Sequence, residues 1–488
     1  MRNLTLLIVC LICVTCVNAQ TPQATPPPPA PPRSGKFPTP VEQTLPNGLR
    51  VIVIERHETP LITAQLLIKN GGEVDPPELA GLADMTANLL TKGTQSRDAT
   101  KIAQEVESLG GSLDAGARWD ASTATVGVMS SKIQQAMEIL ADVVRHPTFK
   151  SEEVERLRQQ NLDNFTLALG DPGSIARFVA ARVVFGDSPY GHPVSGTAES
   201  LTRITAADIA KMHSRYYRPD NAILVIGGDI SDKDGLALAT KYFGDWQKPT
   251  TPLPTISAAM DAAAAPKTGR VVVIDKPDAG QAAVYLARTG IDRKDPDYFR
   301  GIVSNSVLSG YSGRLNQEIR IKRGLSYGAG SALESRRDVG PFLASAQTKN
   351  ESGAIVADLL MGEIGRLSSA PPADAELTPR KAVLIGNFSR NLETAGGLVG
   401  QVGSLALYGM GLDEINRYIN NVQAVNTADI QKFAGMRLDA KTANIIIVGN
   451  AKAFLPELQK KYPNVEVIPV TELDLNTALL RKKKEAAD

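Results

Sequence analysis

Ile204-Thr205-Ala206-Ala207-Asp208-Ile209-Ala210-Lys211 is echoed further along the chain by Val425-Asn426-Thr427-Ala428-Asp429-Ile430-Gln431-Lys432. In each copy an apolar, strand-like run follows at a similar interval: Ala222-Ile223-Leu224-Val225-Ile226-Gly227 and Asn444-Ile445-Ile446-Ile447-Val448-Gly449. The beginnings of the two stretches also correspond. Leu66-Leu67-Ile68-Lys69-Asn70-Gly71 precedes Asp75-Pro76, and Tyr285-Leu286-Ala287-Arg288-Thr289-Gly290 precedes Asp295-Pro296. All matched pairs are separated by about 220 residues, the mark of one duplicated unit and not of a short-period solenoid. Within a unit the periodicity alternates. Residues 49–54 and 62–68 read as strands, and 99–109 place Ile102, Ala103, Val106 and Leu109 on one helical face stopped by Gly110. Thr123-Ala124-Thr125-Val126-Gly127-Val128-Met129 returns to a strand pattern. Neighbouring strands followed by helices predict an α+β fold of two homologous domains, each an antiparallel-rich sheet with helices packed on it.

The ends of the chain bound this reading. Arg2, an apolar run from Leu4 to Val17 and the small-residue site Val17-Asn18-Ala19 read as a secretory signal peptide over residues 1–19. The run is shorter than the roughly 20 apolar residues that span a bilayer. Cys10, Cys13 and Cys16, the only cysteines, all fall inside it. A lipoprotein reading at Cys16 would place Thr15 where a small residue is expected. Cleavage after Ala19 leaves a mature chain without thiols, which excludes disulfides, cysteine nucleophiles and Cys-ligated zinc. The protein is therefore expected to be exported, periplasmic or extracellular, with no stable membrane insertion. Residues 20–40 form a proline-rich linker. An N-terminal domain over 41–255, a low-complexity linker over 256–269 and a C-terminal domain over 270–472 follow. A charged tail over 473–488 carries Arg481-Lys482-Lys483-Lys484 and reads as a solvated helix end. With 53 Lys and Arg against 52 Asp and Glu, the chain shows no electrostatic footprint for nucleic acid.

After Pro76-Pro77, Leu79, Leu82, Ala83, Thr86 and Leu90 recur at helical spacing, with Gly93 as a stop. Gly81-Leu82-Ala83-Asp84-Met85-Thr86-Ala87-Asn88-Leu89-Leu90-Thr91-Lys92-Gly93-Thr94 resembles the metal-binding helix of the inverzincins, the pitrilysin and insulinase peptidases that include mitochondrial processing peptidase. The family pattern there is G-L-A-H-x-x-E-H-x-x-x-K-G-T. Gly110-Gly111-Ser112-Leu113-Asp114-Ala115 is similar to the segment that precedes the family's substrate-binding edge strand, which places that edge at 123–129. Pro189-Tyr190-Gly191-His192-Pro193-Val194-Ser195-Gly196-Thr197 and Tyr216-Tyr217-Arg218-Pro219-Asp220-Asn221 also resemble family sequences.

In that family two histidines one helical turn apart bind zinc and the glutamate between them is the general base. The resemblance puts Asp84, Ala87 and Asn88 at those positions, and Asn164 at the third ligand, in the stretch Glu155 to Asn164. The four histidines, His57, His146, His192 and His213, lie 89, 46 and 21 residues apart, so no two share a helical face at i, i+4. Asp84, Asn88 and Asn164 are either a weak site for a hard cation or polar relics in a disused cleft. His57 and His192 sit among turn-like residues and read as surface or capping groups. Ser309-Gly310-Tyr311-Ser312-Gly313 reads as a turn before a helix, since no Gly-Lys-Ser/Thr follows it.

Residues 315–327, from Leu315 to Tyr327, are similar to the family's L-R-x-K-x-x-L-x-Y region, whose Arg/Tyr pair holds substrate. Arg320 and Tyr327 fit that spacing, with a helix stopping at Gly324 and Tyr327 entering the next strand. By resemblance these are the catalytic candidates, with no metal and no cofactor in this chain. The resemblance implies a non-catalytic subunit of an exported heterodimeric zinc metallopeptidase. Its partner would be a homologous zinc-helix peptidase subunit that carries the zinc, and its substrate an extended peptide. The alternative is a catalytically silent scaffold or peptide-binding protein of the same fold. Either way the chain alone is expected to be inactive.

Overall fold

The computed structural model describes residues 37–254 and 269–482, and the strands and helices of both halves belong to one compact unit spanning 36–488. The leader, residues 20–36 of the linker, all of 256–269 but Gly269, and the basic residues beyond Lys482 lie outside the described residues.

The duplication is visible strand by strand. The first half contributes β1 (Val41–Thr44), β2 (Arg50–Glu55), β3 (Leu61–Ile68), β4 (Ser112–Ala117), β5 (Ser122–Met129) and β6 (Ala222–Gly228). The second contributes β7 (Val271–Asp275), β8 (Ala282–Thr289), β9 (Ile291–Asp292), β10 (Ser326–Leu333), β11 (Ser335–Arg336), β12 (Pro341–Thr348), β13 (Asn444–Gly449) and β14 (Glu466–Pro469). The sheets run β1-β2-β6-β3-β5-β4 and β14-β7-β13-β8-β12-β10, with β9 and β11 forming a small separate pair. In each large sheet one inner pair is parallel, β2 with β6 and β7 with β13, and the three pairs beyond it are antiparallel. Only the outermost strand differs: β1 lies antiparallel on β2, whereas β14 lies parallel to β7. The expected pair of α+β domains, each with an antiparallel-rich sheet, is what the chain builds.

The motif that reveals the repeat is a helix start. Thr205 and Asp208 exchange side-chain and backbone hydrogen bonds at the head of helix Ala206–Tyr216, and Asn426 and Asp429 do the same for helix Thr427–Arg437. Each of these capping boxes satisfies amide donors that a helix end leaves orphaned, which is why the same spacing of polar residues recurs. β6 and β13 are buried along their whole length, so both faces of the strand are covered and the sequence there is apolar but for Asn444, whose amide is hydrogen-bonded to the backbone of Ala287 and Arg270.

The cover comes from the opposite half. Helix Ala395–Leu407, late in the chain, packs on β3 and β6 of the first sheet, burying Leu398, Val399, Val402 and Leu405 against Ile52, Ile54, Leu67, Ile223 and Val225. Reciprocally, helix Pro172–Phe185 packs on β8 and β13, burying Ile175, Val179 and Val183 against Val272, Ala283, Ile446 and Val448. Each fully buried aliphatic side chain contributes about 1.5–3 kcal/mol. Two glycines permit the first contact: a Cβ on Gly227 would lie 2.8 Å from Val399 Cγ2, and one on Gly403 would lie 2.9 Å from Gln65 Oε1.

Two expectations change. The edge of the first sheet is β4, not the strand at 123–129: β5 is paired on both sides, with β3 and with β4. The composition of β4, Ser-Leu-Asp-Ala-Gly-Ala, carries little intrinsic strand preference, and it is held by pairing with β5. The described part of the tail is also not a solvated helix. Leu475 and Leu480 are buried, and Leu473 bridges Arg481. The tail also returns to the first half: Arg182 Nε donates to Leu475 O at 2.7 Å and the Ala478 amide to Asp187 Oδ1 at 2.8 Å.

Candidate functional site

A cavity of about 750 Å³ opens between the halves. Asp84, the 117–119 segment after β4, helix Pro172–Phe185 and the 192–195 loop form one wall; Tyr285, β10 and β12 form the other. Helix Leu82–Leu89 is set by a buried carboxylate that local sequence patterns do not flag. Asp75 accepts from the amides of Gly81 and Ala83, both at 2.9 Å, and caps the helix from outside it. Burial raises its pKa well above the usual carboxylate range, opposed by those two amides. Gly81 enters the helix at φ +97°, and a Cβ there would lie 3.0 Å from the Gly196 backbone. A 3₁₀ turn at Leu90–Lys92 ends the segment before Gly93.

From this helix Asp84 reaches the cavity, and burial pushes its pKa up to about 6. Ala87 is fully buried. Asn88 Nδ2 donates to Asp84 O at 2.8 Å, and the same side chain hydrogen-bonds the Asp84 carboxyl, pulling against the rise that burial causes. Asn164 is exposed on helix Ser151–Gly170, in a shallow depression with Glu152, Glu155 and Asp163, away from the cavity lining. The amide that this helix turns inward is Asn161, whose Nδ2 is buried without a hydrogen-bond partner among the described residues. The structure therefore does not gather Asp84, Asn88 and Asn164 into one site. Among the described residues no group of three or more His, Cys, Asp or Glu could hold a metal ion. One carboxylate, a methyl group and neutral amides are not a donor set for zinc, and none but Asp84 could move a proton.

The wall beside Asp84 is aromatic and cationic. Trp119 packs edge-on to Tyr190 with ring centroids 5.5 Å apart, and lies 5.2 Å from the His192 ring. Arg336, from β11, inserts its guanidinium 4.8 Å from the Trp119 and Tyr190 rings and 5.3 Å from Phe185, while Nη2 holds Glu334 at 2.9 Å. Cation–π packing of this kind joins the halves. His192 is not a surface group: packed under Trp119, it is only 3% exposed, and burial lowers its pKa to about 4, leaving a neutral imidazole. His57 is a surface group, its Nδ1 2.8 Å from Asp229 Oδ1.

Arg320 and Tyr327 lie on the second half. Arg320 belongs to a π-helical turn, Gln317–Ile321, and its guanidinium stands 5.5 Å from the Tyr311 ring. Its basic neighbours Lys322 and Arg323 both pair with Glu318, whereas Arg320 pairs with no carboxylate among the described residues. Tyr327 is the second residue of the edge strand β10 and is 89% exposed. It lines a separate cavity of about 320 Å³ with Tyr285, Gly328 and Gln347, and Arg320 is not part of that lining. The residues 309–313 form the expected turn, with Gly310 at φ +93°, before the helical turn at Arg314.

Two family descriptions match this chain: "Insulinase (Peptidase family M16)" over residues 50–166 and "Peptidase M16 inactive domain" over residues 203–384. The chain belongs to the M16, pitrilysin/insulinase family. An uncharacterized zinc protease of Mycobacterium leprae is 27% identical over 366 residues, covering 74% of this chain and 80% of that protein. The crystal structure of a peptidase M16 inactive domain from Pseudomonas fluorescens superposes with a TM-score of 0.77 at 27% identity, covering 84% of this chain and 98% of the other. The periplasmic protease PqqL from Escherichia coli shares the fold, with a TM-score of 0.67 at 18% identity, covering 87% of this chain and 50% of its own. This M16 chain combines the peptidase fold and the family's inactive domain with a first-half helix that presents Asp84, Ala87 and Asn88. No helix among the described residues is long and apolar enough to cross a membrane.

Proposed function

We propose that this M16 chain is a catalytically silent peptide-binding protein, which takes up an extended peptide along the free edge of β4 and into the cavity between the halves. The observation that carries this reading is the cavity itself: an edge strand leads into it, while the helix facing it holds no zinc donor set and has Ala87 where the family's general base stands. Among the described residues β4 pairs only with β5, so apart from Ala117, which hydrogen-bonds Asp84, its outer edge is open to a further strand. The leader at residues 1–19 supports an exported protein.

Trp119 provides the test. The chain contains two tryptophans, and a Trp246→Phe variant leaves Trp119 in the cavity wall as the sole reporter. Titration with extended peptides should change its emission saturably, while the peptides are recovered intact by mass spectrometry. Chelator-sensitive hydrolysis by the purified chain alone would overturn the proposal.

A second reading makes the chain the non-catalytic subunit of a heterodimeric peptidase, supplying Arg320 and Tyr327 to a partner that carries zinc. It is favoured by the exposure of Tyr327 and by Arg320, which pairs with no carboxylate among the described residues and packs on the Tyr311 ring. Two such donors on a scissile carbonyl would stabilise its developing charge, and loss of one costs about 2.7–4 kcal/mol of barrier. Co-expression with a zinc-helix homologue tests it: Arg320→Ala and Tyr327→Phe in this chain should depress turnover of the complex, and wild-type rates return the first reading.

A further inference from the structure

A second inter-half cavity, of about 330 Å³, is lined by Arg50, Lys69, Arg293, Lys294 and Arg337 together with residues 406–409. No acidic side chain lines it. Three of its five cations are engaged by carboxylates outside the lining: Arg50 with Glu42 at 2.6 Å, Arg337 with Glu73 at 2.9 Å, and Arg293 with Glu414. The two ammonium groups are not. Lys69 Nζ has one hydrogen bond, to the backbone oxygen of Asp220 at 3.3 Å. Lys294 Nζ makes no ion pair or hydrogen bond among the described residues, and lies 3.6 Å from where a Cβ on Gly409 would stand.

Five like charges around so small a space repel one another, and part of the wall is withdrawn from water. Lys69 carries the consequence: burial lowers its pKa, and Arg50 and Arg337 lower it further, against the opposing pull of Asp220. An ammonium has three donors, so Lys69 and Lys294 hold several unspent, one lysine from each half. We propose that this cavity binds a small oxyanion of the phosphate class, free or carried by a small molecule, which bridges Lys69 and Lys294 and braces the two halves. The site is distinct from the peptide cavity and does not depend on the function proposed above.

Binding to the folded state alone raises its stability by RT ln(1 + L/Kd), with L the free ligand concentration, which keeps growing with the logarithm of that concentration above Kd. The full chain is unfolded thermally at fixed ionic strength with inorganic phosphate, pyrophosphate or adenosine diphosphate, and with chloride as reference. The midpoint should begin to rise as ligand exceeds its Kd and then climb with the logarithm of its concentration, and the ligand with the lowest onset concentration tells a free anion from a phosphate-bearing molecule. Lys69→Gln and Lys294→Ala should each weaken binding about tenfold or more, since each removes a charge-assisted contact. Lys432→Ala, a surface lysine outside the cavity, should leave it unchanged. Lys294 is exposed, so its variant keeps the fold and decides the matter if Lys69→Gln does not fold. No rise in midpoint beyond the chloride reference with any of the three ligands, or a response undiminished in Lys294→Ala, overturns the proposal.

Discussion

Arg337 Nη1 donates to Glu73 Oε1 at 2.9 Å across 264 positions of sequence, and the same guanidinium reaches Lys69 O at 2.6 Å and Asp120 O at 2.9 Å. Glu73 also accepts from the Gly71 amide at 2.7 Å and from Asn70 Nδ2 at 3.0 Å. Burial nonetheless pushes its pKa up to about 6, with Arg337 pulling the other way. A single side chain of the second half thus satisfies a buried acid and two carbonyls of the first.

Arg337→Ala should destabilise the chain by about 3–5 kcal/mol, because it leaves a buried carboxylate without its partner. Urea unfolding monitored by circular dichroism measures this. Adding Glu73→Gln should recover much of the loss, since the amide keeps part of the local hydrogen bonding without the charge.

Asp84 should make stability depend on pH in a defined sense. Its folded pKa of about 6 lies above the ordinary carboxylate value, so the folded state holds its proton more tightly than the unfolded one. That contribution is fully present below the unfolded pKa and is lost as pH rises through about 6. The advantage of Asp84→Asn over wild type should therefore grow between about pH 4 and 7 and level off at an order of 2–3 kcal/mol. A pH-independent difference would show that Asp84 is solvated.

The exchanged helix can be tested at a single contact. Gly227→Ala places a methyl group against Val399 and should cost about 1–3 kcal/mol through overpacking. Combined with Val399→Ala, the cost should fall below the sum of the two single variants, which a double-mutant cycle on thermal unfolding reads directly.

The tail should behave as part of the body. Leu480 is fully buried and held at φ +59°, a conformation rare for a side chain of its size. Leu480→Ala should cost about 2–5 kcal/mol in chemical unfolding. No loss would mean that the tail detaches in solution.

The duplicated α+β plan, the repeated motif at 204–211 and 425–432, the helix carrying Asp84 and the absence of a paired-histidine helix were all legible in the amino-acid sequence. Each is a local property: a capping spacing, a hydrophobic period, or the identity of residues within one or two turns. The replacement of zinc ligands by Asp84, Ala87 and Asn88 needed no coordinates.

Tertiary structure decided everything that depends on contacts between distant segments. Whether β4 or β5 is the edge depends on pairing partners. The inward amide being Asn161 and not Asn164 depends on which face of one helix meets another. His192 looks like a turn residue until Trp119 covers it, and the tail looks solvated until Arg182 meets Leu475. The exchange of helices between halves, and the cationic cavity shared by Lys69 and Lys294, join residues from opposite halves of the sequence. Local pattern records which face of an element is apolar; which other element covers it is set only when the whole chain has packed.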